Sequence, residues 1–129
     1  VAQRVIKLMT QRRIPAVDSN ILVLGLAFKE NCPDLRNTRV VDVIAEFKSY
    51  HANVDVYDPW VSADAEPHAS GIALPQSLEK GKYDAIVLAV CHKQFNELGA
   101  DGIRALGTPG CVLFDVKQAL PRDKVDDRL

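Results

Sequence analysis

Three stretches of this chain are almost continuously apolar: ILVLGLAF at 21–28, DAIVLAV at 84–90 and CVLFDV at 111–116. A strand with one face in water alternates apolar and polar residues, whereas a strand covered on both faces has no reason to. NVDVYD at 53–58 supplies a further strand. Helical patterns lie between these runs. Thr38 to Tyr50 places Val40, Val41, Ile44 and Phe47 on one stripe at three- and four-residue spacing, with Asn37 or Thr38 able to cap its start. Parallel strands need long crossovers, and helices are the usual ones. The alternation therefore predicts an α/β fold, an open parallel sheet with helices on both faces and right-handed crossovers.

The remaining elements are shorter. Residues 2 to 13 read as a helix ended by Pro15, with Val5, Ile6, Leu8 and Met9 apolar. PQSLEKG at 75–81 has proline in its first turn and glycine just past its end, which predicts a short helix. In 95–107 Gly99 and Gly102 predict a helical turn followed by a short helix. IAL at 72–74 reads as a short extra strand, 60–71 as a long polar loop, and the tail PRDKVDDRL as a frayed end or the start of a helix.

With 129 residues the chain fits one domain, and a chain of that size buries roughly two thirds of its unfolded surface without a disulfide or metal. A net charge of -1 argues against a general nucleic-acid or membrane-surface binder. No apolar run approaches the ~18 residues of a membrane span. Cys32, Cys91 and Cys111 are odd in number and far apart, which reads as reduced thiols in a cytoplasmic protein. The chain opens with Val1 inside a helical pattern and has no apolar leader, so it reads as a piece of a longer protein.

Ligands of open α/β sheets sit at the carboxyl ends of the strands. The first strand exit carries Gly25 alone, where a dinucleotide-binding turn would need three glycines within six residues. Lys29 can supply a point charge there, backed by the N-terminus of the following helix. Arg36 offers a planar fork to a phosphate or carboxylate, and Phe28 a ring to a flat base. The same residues also fit a solvated loop in which Arg36 pairs with Asp34 and Phe28 is core. Lys117 would add positive charge at the same edge. Asp58 reads as part of a Tyr-Asp-Pro turn, its carboxylate bonding nearby backbone. Cys91 and His92 are adjacent at a strand exit and point in opposite directions, so they predict no catalytic dyad, and Cys111, read as the start of its strand, lies at the opposite edge of the sheet from Cys91, which predicts no metal site. His51 and His68 read as lone surface histidines.

The motif GLAFKENCPDLRNT resembles a signature of the UDP-glucose/GDP-mannose dehydrogenase family. In that signature a glycine is followed by an aromatic residue and lysine, and then by Asp-x-Arg-x-Ser/Thr. VDVYDPWV is similar to that family's Tyr-Asp-Pro turn, YDAIVLAVCHKQF to its Thr-Glu-Trp or Thr-Glu-His stretch, and LFDVK to a last strand that often ends Asp-x-Arg. The wording ENCPDLRNT most resembles the branch that oxidises UDP-N-acetylhexosamines for surface polysaccharides such as capsule and Vi antigen.

The resemblance implies a Rossmann-like three-layer sandwich at 18–129, the UDP-sugar-binding C-terminal domain, with residues 1–17 the end of a central helical region. It implies an oxidoreductase that uses NAD to convert a sugar C6 alcohol to a carboxylate. NAD would be bound mainly by a domain this chain lacks, and the full-length protein would be a homo-oligomer. Phe28, Lys29 and Lys117 would bind the UDP-sugar, and Arg36 would reach NAD. A lysine at 117 keeps the charge of the family's arginine but loses its fork. The glycine-rich NAD fingerprint and the catalytic-cysteine motif are both missing from the chain, so no catalytic residue, no metal and no activity of the fragment alone are expected.

Two rival readings stand beside this one. A receiver-type phosphoacceptor domain would need an acidic pair where Phe28 and Lys29 stand. A non-catalytic binding or assembly module of the same fold is not excluded by any residue.

Overall fold

The computed structural model describes residues 1–25, 40–59 and 78–128. In chain order they form α1 (Ala2–Gln11), β1 (Asn20–Leu24), α2 (Val40–Ser49), β2 (Asn53–Tyr57), β3 (Tyr83–Leu88), α3 (Lys93–Arg104), β4 (Gly107–Asp115) and β5 (Asp127–Arg128), with a 3-10 turn at Arg122–Lys124. The strands make one sheet in the order β2-β1-β3-β4-β5, and every pairing is parallel. This is the doubly wound α/β class that the apolar runs predict.

The period of two along each strand sorts the core into two layers. Ile21, Val23, Val54, Val56, Ala85, Val87, Val112 and Phe114 face one side, where Val5 and Met9 of α1 and Val40, Ile44 and Phe47 of α2 cover them. Leu22, Leu24, Ile86, Leu88 and Leu113 face the other, under Phe95, Ala100 and Ile103 of α3. In β1 both parities are closed to water: Ile21 through Leu24 are all 0% exposed. Burying side chains of this size is worth about 1.5–3 kcal/mol each, so β1 anchors both layers.

Several elements differ from the expectation. The first strand ends at Leu24, because Gly25 takes a φ of +99° that no strand continues through. The helix of 93–104 is interrupted at Gly99, with φ 70° and ψ 173°, while Gly102 stays helical. Residues 78–81 contain a turn. The expected strand at 72–74 and the caps Asn37 and Thr38 lie outside the described residues, as does most of the short helix at 75–81.

The tail does not fray: a short 3-10 turn at Arg122–Lys124 leads into the strand β5. Val125 is buried in the α3-side layer, and β5 pairs with β4 through Phe114 and Asp115. Asp126 explains why. Its carboxylate accepts hydrogen bonds from Leu113 N at 2.7 Å and Arg104 Nη2 at 3.1 Å, and from Arg12. Arg12 also donates to Gly110 O at 3.2 Å and Cys111 O at 2.8 Å. One carboxylate thus ties the end of α1, the end of α3, β4 and the tail together. The Arg4–Asp127 pair at 2.7 Å adds less, since Arg4 is half exposed and such pairs are worth at most about 1 kcal/mol.

Burial by itself would raise the Asp126 carboxyl. Leu113 N–H and the guanidinium groups of Arg104 and Arg12 outweigh it and hold the carboxyl below the ordinary value. The unfolded chain therefore binds the proton first on acidification. The stabilisation is complete above the unfolded carboxylate range near pH ~4 and is lost as pH falls through the folded-state value. Asp126→Asn is expected to cost about 1–3 kcal/mol in urea unfolding at neutral pH. It should also flatten the loss of stability between neutral pH and pH ~3; an unchanged acid slope would remove Asp126 as its source.

Candidate functional site

The chain leaves β1 for β2 on one side and later returns to β3 on the other, so the strand order reverses between β1 and β3. In sheets of this order the crevice outside the carboxyl ends of those two strands is where ligands bind. Among the described residues it is framed by Gly25 after β1, Asp58 after β2, Ala89 to His92 after β3 and Asp115 to Gln118 after β4.

Gly25 is required by packing as well as by its φ. A Cβ there would lie 2.6 Å from Val90 Cβ and 2.7 Å from Val90 N and O. Gly25 N donates to Tyr57 O at 2.9 Å, while Leu24 O accepts from Ala89 N at 2.9 Å and Val90 N at 3.2 Å. The β1 exit is thereby clamped between its two neighbours. Val90 therefore occupies the position that a side chain at residue 25 would take.

Across this exit runs a contact that the sequence reading missed. His92 Nε2 lies 2.9 Å from Asp58 Oδ2, and both side chains are fully buried. Asp58 had been expected to serve only a local turn; instead its carboxylate bridges from the end of β2 to the start of α3. The His92 carbonyl also accepts from Phe95 N at 3.0 Å and Asn96 N at 3.2 Å, opening that helix. Its ring packs 5.7 Å from Phe95, which in turn meets Tyr57 at 6.2 Å. The Cys91 thiol points at the His92 carbonyl at 3.9 Å rather than at the ring. The signal was two polar residues at the exits of the strands flanking β1, legible only once the strand order is known.

Lys117 sits at the β4 exit with its side chain exposed, on the turn that follows buried Asp115. Phe28, Lys29 and Arg36 lie outside the described residues. Cys111 lies within β4 rather than at its start, and burial pushes its thiol up, which makes it a poor nucleophile. Among the described residues no three His, Cys, Asp or Glu side chains gather as a metal site, and no helix is long and apolar enough to cross a membrane.

Residues 22–122 match the profile of the UDP-glucose/GDP-mannose dehydrogenase family, UDP binding domain. The chain belongs to this family. It is 48% identical over 129 residues to a UDP-N-acetyl-D-glucosamine 6-dehydrogenase of Pseudomonas aeruginosa, covering all of this chain and 31% of that protein. It is 43% identical to the protein of the same description in Salmonella typhi, again over its whole length and 30% of the relative. The chain thus spans about a third of the curated relatives it matches.

Among solved structures, it is similar to an NDP-N-acetyl-D-galactosaminuronic acid dehydrogenase from Methanosarcina mazei Go1. The TM-score is 0.80 at 23% identity, over 95% of this chain and 26% of that one. A UDP-D-ManNAc dehydrogenase from Pyrococcus horikoshii gives 0.72 at 22%, over 98% and 29%. These structural likenesses establish the Rossmann-like family fold.

Removing one partner of a buried polar pair strands the other away from water. His92→Ala and Asp58→Ala are each expected to cost about 3 kcal/mol or more in urea unfolding. The double variant should lose less than the sum of the two; strictly additive losses would show that the pair is not coupled.

Proposed function

We propose that this chain is the UDP-sugar-binding domain of an NAD-dependent nucleotide-sugar 6-dehydrogenase. Its substrate is a UDP-N-acetylhexosamine, whose C6 alcohol is oxidised to a carboxylate for surface polysaccharide synthesis. The observation that carries this reading is the 48% identity, along the whole chain, to a UDP-N-acetyl-D-glucosamine 6-dehydrogenase. In this reading residues 1–17 end a central helical region and 18–129 are the binding domain. The enzyme works in the cytoplasm as a homo-oligomer, and NAD is held mainly outside this chain.

The chemistry of the chain's own residues supports a binding role. A diphosphate is a dense anion, and Lys29 brings a charge to the exit of the first strand, where the dipole of the next helix adds to it. Lys117 contributes a further cation from the β4 exit. Phe28 gives an apolar face to the uracil, and Arg36 extends toward NAD. The glycine-rich NAD fingerprint and the family's catalytic-cysteine motif are both missing from the sequence. The fragment therefore binds and orients, and leaves the hydride transfers to the rest of the enzyme.

The test is calorimetric titration of the full-length protein with UDP, with Lys29→Ala beside it. Loss of a hydrogen bond to a charged group predicts roughly tenfold weaker binding for the variant. The 129-residue chain alone should not reduce NAD with any UDP-sugar. Unchanged UDP affinity in Lys29→Ala, or NAD reduction by the isolated chain, would overturn the assignment.

A further inference from the structure

Lys117 rests on an unusually determined turn. Asp115 is 0% exposed, yet both of its carboxylate oxygens are engaged by the backbone that follows. Lys117 N donates to Oδ1 at 3.2 Å and Leu120 N to Oδ2 at 2.8 Å. Val116 N donates to Leu88 O at 3.0 Å, which pins the start of the turn to β3. Leu120 is buried in the α3-side layer and pins its end. Between them Gln118 is held at φ 56°, a left-handed conformation that a non-glycine residue adopts only when its surroundings impose it.

The fold has gone to some cost here. An acidic side chain is buried at a strand exit, and its two oxygens accept from two backbone amides. A surface turn of no consequence needs neither the buried carboxylate nor the left-handed residue. What the arrangement achieves is a fixed root for an exposed lysine at the carboxyl edge of the sheet, one strand away from the β1/β3 crevice. A lysine has about 2 kcal/mol of rotamer entropy to lose on binding. Fixing its backbone beforehand reduces what a ligand must order.

We propose that Asp115 is a positioning residue for Lys117: it clamps the 116–120 turn so that the lysine is presented, preorganised, to a nucleoside diphosphate. The proposal rests on the reading of Lys117 as a ligand-binding residue. Asp115 touches no ligand itself and acts through the turn.

The experiment is a double-mutant cycle on the full-length protein, with UDP affinity read by calorimetry. Lys117→Ala is expected to weaken UDP roughly tenfold. Asp115→Asn keeps one acceptor oxygen and replaces the other by a donor, so it loosens the turn and should weaken UDP by about threefold to fivefold. In the Lys117→Ala background the same Asp115→Asn change should have no further effect, a result that a merely structural role would not give.

An equal loss in both backgrounds, or no loss in either, overturns the positioning role. If Lys117→Ala alone leaves UDP affinity unchanged, the underlying reading of Lys117 fails, and the positioning role fails with it. Where Asp115→Asn does not fold, Gln118→Pro makes the same test with the buried carboxylate in place. Proline cannot adopt φ 56°, so the turn is broken directly, and its effect on UDP should likewise vanish in the Lys117→Ala background.

Discussion

The carboxyl edge of the sheet depends on β1, a parallel strand whose residues Ile21 to Leu24 are all shut off from water. Because Ile21 and Val23 serve one layer while Leu22 and Leu24 serve the other, the strand cannot slip by one residue without inverting both. Its register with β2 and β3 is therefore fixed, and with it the place where the chain leaves the sheet. Gly25 stands at that place, closed in by Val90 and bonded to Tyr57.

The exits of the neighbouring strands follow from this. With β1 in the middle, the ends of β2 and β3 come close enough for Asp58 and His92 to meet across it. The next strand along, β4, ends in a second buried acid, Asp115, which accepts from the backbone of the turn that follows it. The two carboxylates do different work from similar positions. One joins two strand exits, and the other shapes a turn that carries an exposed cation. Beside Leu113, two residues before Asp115 on β4, Asp126 closes the domain by collecting Arg12, Arg104 and the tail.

The sheet was legible in the sequence because two-sided burial leaves a local trace: uninterrupted apolar runs need no knowledge of tertiary structure to be recognised. The helix break at Gly99 was legible, but Gly102 misled, since a glycine inside a helix costs only about 1 kcal/mol and packing overrides it. The tail was misjudged because its order comes from contacts distant in sequence: Val125 in the α3-side layer, β5 beside β4, and Asp126 with partners at Arg12, Arg104 and Leu113. The Asp58–His92 contact was missed for the same reason, as it joins residues far apart in sequence through the strand order. Lys117 could be placed at a strand exit from sequence, but the clamp beneath it could not. Phe28, Lys29 and Arg36 were found by motif, and their geometry lies outside the described residues.

The measurement that tests this account most directly is a crystal structure of the full-length protein with UDP. The account predicts the diphosphate outside the carboxyl ends of β1 and β3, with the ammonium groups of Lys29 and Lys117 on its oxygens and the uracil against Phe28. UDP seated at the amino end of the sheet, or wholly within another domain, would contradict it.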